Sequence, residues 1–418
     1  MYYESSSQKF MEPKNVFQIE RFPVWLASRF LSNMGKQMMA LIIAWQVYEI
    51  SKAPLALGLV GLSEALPYML LALWAGHFID RTSRRAVLIW SKAGFFFCSL
   101  ILLGMTYFGV PRLWLIFLEL AIFGAMESFE TVAASAYIQT LSPKKLFPRV
   151  AAWNLSLFMT AMIVGPVLAG WFIKVSGPLL AYSVASGFFF CSVLMSMQLK
   201  KVEVLPAPMG DHNDPALVRI KEGLKFIKSK PLMFASMSLD MFAVLFGGVV
   251  ALFPIFADKM GVGPVGLGML RASPAIGSLA MALLQALHLP IKPSWKLLVW
   301  SVVIFGICIL GFGISTNFYL SLFLMVVSGS VDSLSVITRS TIMQVLTPDH
   351  LRGRVSSVGG IFIRTSNEIG AFESGLAAKL IGTVPSVIFG GSMTLVIAGL
   401  WAYWFRKMDT SALDNAQS

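Results

Sequence analysis

Charge is scarce in this chain, and that scarcity narrows its class at once. Of 418 residues only 13% are charged, 56% are hydrophobic, and the mean hydropathy is +0.74. No ordinary soluble domain has that composition. Cysteine is rarer still: Cys98, Cys191 and Cys308 lie far apart inside apolar runs. They form no disulfide framework and no metal-type spacing with histidine, so no metal or other cofactor is expected. His77, His212, His288 and His350 fall at loops or segment ends, which argues against a histidine proton relay through the apolar segments. The chain has no phosphate-cradling loop ending in Gly-Lys-Ser/Thr, no nucleophile constellation and no large polar domain. An enzyme or receptor embedded in membrane is therefore unsupported. Residues 1–22 are polar and lack the early apolar core of a cleavable signal peptide, so the first apolar segment is expected to direct insertion.

What the chain does have is an internal repeat. Gln139, Leu141, Pro143, Leu146, Arg149 and Val150 recur as Gln344, Leu346, Pro348, Leu351, Arg354 and Val355, each 205 positions on. The register extends upstream, where Glu127-Ser128 matches Asp332-Ser333, and downstream, where Gly165 and Gly170 match Gly370 and Gly375. A self-match at about half the length marks two copies of one unit. Repeated halves made of apolar segments are the sequence sign of a secondary transporter.

A membrane-spanning helix needs about 20 apolar residues. Twelve such segments are predicted, six in 23–199 and six in 231–406, giving an all-α membrane protein of two pseudo-symmetric halves. Between the halves runs a linker, 200–230, and residues 1–22 and 407–418 are tails. Within the linker, 204–214 reads as flexible. From Pro215 the pattern turns helical, with Leu217, Ile220, Leu224 and Ile227 on one face and Arg219, Lys221, Lys225 and Lys228 on others. Such a basic amphipathic helix suits the anionic cytoplasmic leaflet, as a strap between halves more than as a sensor. Lys and Arg number 22 in the tails, the linker and the loops on their side, against 5 in the opposite loops. This bias puts both termini in the cytoplasm. The net charge of +12 is thus a topology signal, and no nucleic-acid partner is needed to explain it.

Charges within the spans are costly, so their positions are informative. Lys36 lies in the first segment, Glu64 in the second, and Glu119, Glu127 and Glu130 in the fourth. Asp240 is in the seventh, Arg271 in the eighth, Asp332 and Arg339 in the tenth, and Arg364, Glu368 and Glu373 in the eleventh. Segments 6, 9 and 12 carry none, and segment 3 has only Lys92, near its start. Charge placement therefore predicts a pathway lined by segments 1, 2, 4, 7, 8, 10 and 11, with 3, 6, 9 and 12 outside. Lys36, Glu127, Glu130, Asp240, Asp332 and Glu368 are the candidates for binding substrate or protons, since a carboxyl group in a partly dry site can carry a proton. Three expectations about pairs follow. Glu127 and Asp332, equivalent in the repeat, should face each other across the cavity. Glu130 should meet Arg339 or Arg364 in a cytoplasmic gate, leaving Glu368 as the local partner of Arg364. Glu64 and Arg271, each three residues before a proline, should form a salt bridge in the periplasmic gate.

The loop after segment 2 reads Gly76-His77-Phe78-Ile79-Asp80-Arg81-Thr82-Ser83-Arg84-Arg85. It resembles the signature loop of the major facilitator superfamily, and the resemblance covers essentially the whole chain. It implies that Asp80 latches onto the neighbouring half in the outward-facing state, with Arg81 and Arg85 in support. The matching loop around residues 288–296 does not keep the pattern. Gly165-Pro166-Val167-Leu168-Ala169-Gly170 in segment 5 resembles the shorter end of a Gly-Pro motif of the superfamily's exporters, and small residues at this spacing also allow close helix packing. The arginine the family often carries in segment 4 is replaced by Leu120, so its proton-coupling role does not transfer. Arg29-Phe30-Leu31-Ser32 and Glu222-Gly223-Leu224-Lys225-Phe226-Ile227 resemble the branch of enterobactin exporters and macrolide efflux pumps. The resemblance implies a monomeric, proton-coupled inner-membrane exporter of a siderophore or other bulky amphiphile. Multidrug efflux, and import or lysophospholipid flipping on the same fold, are the alternatives.

Overall fold

In lipid every backbone polar group needs a partner within the protein, so apolar segments of this length fold as helices. The computed structural model describes residues 15–201, 216–287, 294–348 and 351–406, and helices occupy nearly all of them. The first half contains α1 (Phe22–Ser51), α2 (Pro54–Asp80), α3 (Arg84–Tyr107) and α4 (Leu113–Leu141). It continues in Phe147–Met197, which is bent at Ser176-Gly177 into two limbs, α5 (147–175) and α6 (178–197). Gly177 sits at φ 75°, a conformation that suits glycine, and Pro178 starts the second limb.

In the second half, α7 (Pro231–Lys259) is followed by α8 (Gly263–Leu287), α9 (Trp295–Ile314), α10 (Phe318–Leu346), α11 (Arg352–Ile381) and α12 (Thr383–Trp404). Sequence pattern predicts α7 as one continuous helix, but it breaks at Gly248 into a 3-10 turn, Val249–Leu252, before resuming at Phe253. Pro254 lacks an N–H and its ring crowds the carbonyl one turn back, so the break falls just before it. Gly248 uses its missing side chain to pack against the backbone of Gly370-Ala371 on α11. Among the described residues, α1, α4 and α11 fail a strict test of span hydropathy and charge, while the other helices named here pass it. The three that fail carry Lys36, three glutamates, and the Arg364, Glu368 and Glu373 group.

The linker helix (Ala216–Ser229) docks on α7 and α11 of the second half. Ile227 is buried in one cluster with Met233, Val355 and Val358, and Glu222 pairs with Arg354 at the start of α11. The remainder of the linker expected to be flexible (204–214), the tails 1–14 and 407–418, and 288–293 of the degenerate second loop lie outside the described residues.

Call the end bearing the start of α1 and the linker helix the tail end. The halves pack tightly towards the opposite, far end. There α2 meets α11 where Gly58 lies against Phe372 and Gly375 against Gly58 and Pro54. Along the α5–α8 contact, Gly170 abuts the Pro264 carbonyl and Gly268 abuts the Pro166 carbonyl. Each helix thus presents a Pro-x-x-x-Gly stretch whose glycine receives the other helix's proline carbonyl. Gly165 packs on the other side, against Gln37 and Met34 of α1. At the far-end surface, the Tyr48 hydroxyl donates to Asp258 at 2.5 Å, and Lys52 lies 3.7 Å from Asp258 and 4.2 Å above the Tyr48 ring. These contacts close the far end.

Candidate functional site: a charged cavity between the halves

Below the far-end closure lies a cavity of about 630 Å³, the size of a small-molecule site. Its wall comes from α1, α2, α4, α5, α7, α8 and α11. Charge placement foresees six of these seven helices. It includes α10 instead of α5, because α5 contributes only uncharged Phe158 and Met162, which a search for charges passes over. The break in α7 places Val250 and Ala251 in the wall.

The ionisable wall residues are Lys36, Glu64, Glu127, Arg271, Arg364 and Glu368, three bases and three acids. Inside the cavity, Arg364 of α11 links the halves through charge. It donates to Glu127 of α4 at 2.6 Å, approaches Glu64 of α2 to 3.9 Å, and stacks over the Tyr68 ring at 3.5 Å. Glu127 is shared with Lys36, at 3.5 Å, and Lys36 also reaches Glu130 at 3.3 Å. Glu130 is fully buried and takes a second base, Arg29, at 2.5 Å. Behind them Lys92 of α3 is buried and donates to Ser28 and to Ser196, the latter at 3.1 Å. Low local dielectric strengthens each of these contacts and makes an unpaired member costly.

The three expected pairs are not those observed. Glu127 faces Arg364, whereas Asp332 is absent from the cavity wall and lies in the field of Asp240 and Arg339. Glu130 meets Arg29 and Lys36 of its own half instead of Arg339 or Arg364. Arg339 pairs with Asp240, beside a small pocket of about 40 Å³ formed by α7, α10 and α11. Glu368 makes no ion pair with Arg364 despite its i, i+4 spacing, because Arg364 turns towards the two glutamates of the first half. Glu64 and Arg271 share the cavity but not a bond, the cation nearest Glu64 being Arg364. Glu127, Glu130, Glu64 and Arg339 each have a nearer opposite charge than the partner expected for them.

Two members of the network are missed by sequence reasoning. Lys92 is read as lying near a helix start, yet it is enclosed by serines of α1 and α6. Arg29 enters only through a family resemblance. A usable signal existed: Arg29 stands seven residues before Lys36, two helical turns along the same face of α1. In the signature loop, Arg84 and Arg85 donate to the carbonyls of Ala136 and Met197, both within the first half, and Arg81 is exposed. The side chain of Asp80 lies outside the described residues.

Two repeated helical halves closed at one end over a charged central cavity define a transporter of the major facilitator type, a multi-pass membrane protein that binds small molecules within the membrane. A solved bacterial homologue of the human lysosomal transporter Spinster, inward-facing and unoccupied, has the same fold, with a TM-score of 0.74 over 92% of this chain and 96% of that one at 12% identity. The chain belongs to the transmembrane secretion effector family, whose model matches residues 13–418. Its relatives include the multidrug efflux pump Tap of Mycolicibacterium fortuitum, 24% identical over 92% of this chain and 95% of the pump. Another is the enterobactin exporter EntS of Citrobacter koseri, 24% identical over 90% of this chain and 89% of the exporter.

Proposed function

We propose that the chain exports a bulky amphiphilic small molecule across the bacterial inner membrane by alternating access, driven by protons, with both termini in the cytoplasm. The observation carrying this reading is the Arg364–Glu127 contact inside the cavity. It ties one half to the other through groups that a proton or a charged substrate can separate. Protonation of Glu127 removes the charge that holds Arg364, and a two-state carrier turns such a local event into movement of the halves. The Lys36–Glu130–Arg29 group beside it passes the change to α1. The efflux relatives support outward transport, and the excess of Lys and Arg at the tail end supports the orientation. A siderophore and a multidrug substrate fit this reading equally.

The test uses everted membrane vesicles carrying the protein, energised to an acid interior, with ethidium and enterobactin as probes. Export predicts that at least one probe accumulates, that a protonophore abolishes the accumulation, and that Glu127→Gln and Arg364→Gln each reduce its rate by about tenfold or more while the protein stays folded. Accumulation insensitive to the protonophore removes the proton. Movement of probe in the opposite sense removes export.

A further inference from the structure

The cavity's six charges are balanced, but they are not all paired. Lys36, Glu127 and Arg364 hold one another, and Glu64 sits at the edge of that group, 3.9 Å from Arg364. Arg271 and Glu368 stand outside it: among the described residues neither makes a hydrogen bond or an ion pair. They are within each other's field without forming an ion pair. Their placement is specific. The Glu368 carboxylate lies against Gly61 of α2, one turn from Glu64, so these two acids form a patch where α2 meets α11. Arg271 projects from α8 into the same cavity. The rest of the wall is largely apolar, with Ile43, Phe123, Phe158 and Met162, and carries the uncharged polar side chains Asn33, Gln37 and Asn367.

We propose that this cavity selects a zwitterionic amphiphile. Its anionic group binds Arg271, its cationic group binds the Glu64–Glu368 patch, and its apolar body lies on the aromatic and aliphatic wall. The inference rests on the transport reading and narrows its substrate class. Its physical basis is exclusion as much as attraction. A simple anion gains Arg271 but faces two carboxylates, and a simple cation gains the carboxylates but faces Arg271. A molecule bearing both charges satisfies all three groups, and in a cavity partly withdrawn from water each charged hydrogen bond counts for more than in solution.

Three fluorescent probes with one aromatic body test it. Nε-dansyl-lysine carries both an amine and a carboxylate, dansylcadaverine lacks the carboxylate, and 6-dansylaminohexanoate lacks the amine. Binding is read from dansyl fluorescence with the protein in nanodiscs. The wild type should bind the zwitterion about tenfold or more tightly than either relative, one charged contact's worth. Arg271→Gln should remove the preference over the cation and leave that over the anion. Glu368→Gln should narrow the preference over the anion and leave that over the cation. Arg271→Lys should keep the wild-type order, and the double variant Arg271→Glu with Glu368→Arg should again favour the zwitterion. Together these two variants separate charge recognition from a folding defect. Equal binding of the three probes, a common loss of all three in Arg271→Gln, or binding of none overturns the proposal. A flat ratio alongside gradient-driven efflux in vesicles leaves transport standing and removes only the selection. Charge-dependent binding without efflux in vesicles does the reverse.

Discussion

The two halves tie the same pair of helices together with ion pairs of opposite polarity. In the first half the base is on the first helix and the acid on the fourth, as Arg29 meets Glu130. In the second half the acid is on the first helix of the repeat and the base on the fourth, as Asp240 meets Arg339. Their surroundings are reversed as well. Glu130 lies among Arg29, Lys36 and Lys92, whereas Arg339 has two acids near it, Asp240 and Asp332. The repeat thus preserves which helices are joined and not which residue type joins them. A buried pair needs complementary charge and close geometry, and either polarity meets that need. The asymmetry has a chemical consequence: as the pH falls a surplus acid is neutralised by taking up a proton, while surplus arginine and lysine stay charged.

Removing the minority charge from each half is the strongest way to break this comparison. Glu130→Gln strands Arg29, leaves Lys92 without a nearby acid and leaves Lys36 with Glu127 alone, and the cost expected from breaking a buried pair is about 3–5 kcal/mol in unfolding from mixed micelles. Arg339→Met strands Asp240 and Asp332, and uptake of a proton should hold the loss to about 1–3 kcal/mol. The second-half defect should shrink as the pH is lowered from about 8 to about 5, and the first-half defect should not. Equal losses with equal pH dependence would show that the reversed polarity has no energetic meaning.

A middle-sized effect sharpens the comparison where the halves are alike. Gly170 and Gly268 meet equivalent proline carbonyls, at 2.3 Å and 2.5 Å from where an added Cβ would sit. Backbone cannot yield as a side-chain tip can, so Gly170→Ala and Gly268→Ala should each cost about 1–3 kcal/mol and open the far end. Spin-label distances between α5 and α8 would read the opening, and a response confined to one variant would deny that the two contacts are equivalent. The smallest effect concerns the far-end surface. Tyr48→Phe removes one hydrogen bond to Asp258, on the equivalent end of α7, and leaves the Lys52 contact in place. The far-end-closed population should fall by about 1 kcal/mol, several-fold in equilibrium constant, by the same distance measurement. An unchanged distribution would show that the glycine contacts alone close that end.

Much of the architecture was legible because membrane insertion imposes rules that act along the chain. Span length, the bias of Lys and Arg, and the avoidance of lipid by charge are properties of single segments, so the all-helical fold, the repeat and six of the seven cavity helices could be read from residue order. Helix 5 escaped because Phe158 and Met162 look alike whether they face lipid or a cavity. The broken α7 escaped because Gly247-Gly248 and Pro254 are tolerated within many spans, and only packing against Gly370 fixes the break.

The pairings were a different kind of problem. The sequence by itself determined that Glu64, Glu127, Arg271, Arg364 and Glu368 would lie within spans and away from lipid, since burial in hydrocarbon is too costly for them. Symmetry suggested partners, but Coulomb energy depends on distance between side-chain tips, and rotation or sliding of a helix by one residue changes those distances by several ångströms. Tertiary structure alone decided that Arg364 would reach across to Glu127, that Asp332 would stay in its own half, and that Arg271 and Glu368 would line the cavity without an ion pair. The first set of facts depends on how each residue interacts with the membrane, and the second on which residue, 237 positions away in the case of Glu127 and Arg364, the fold brings closest.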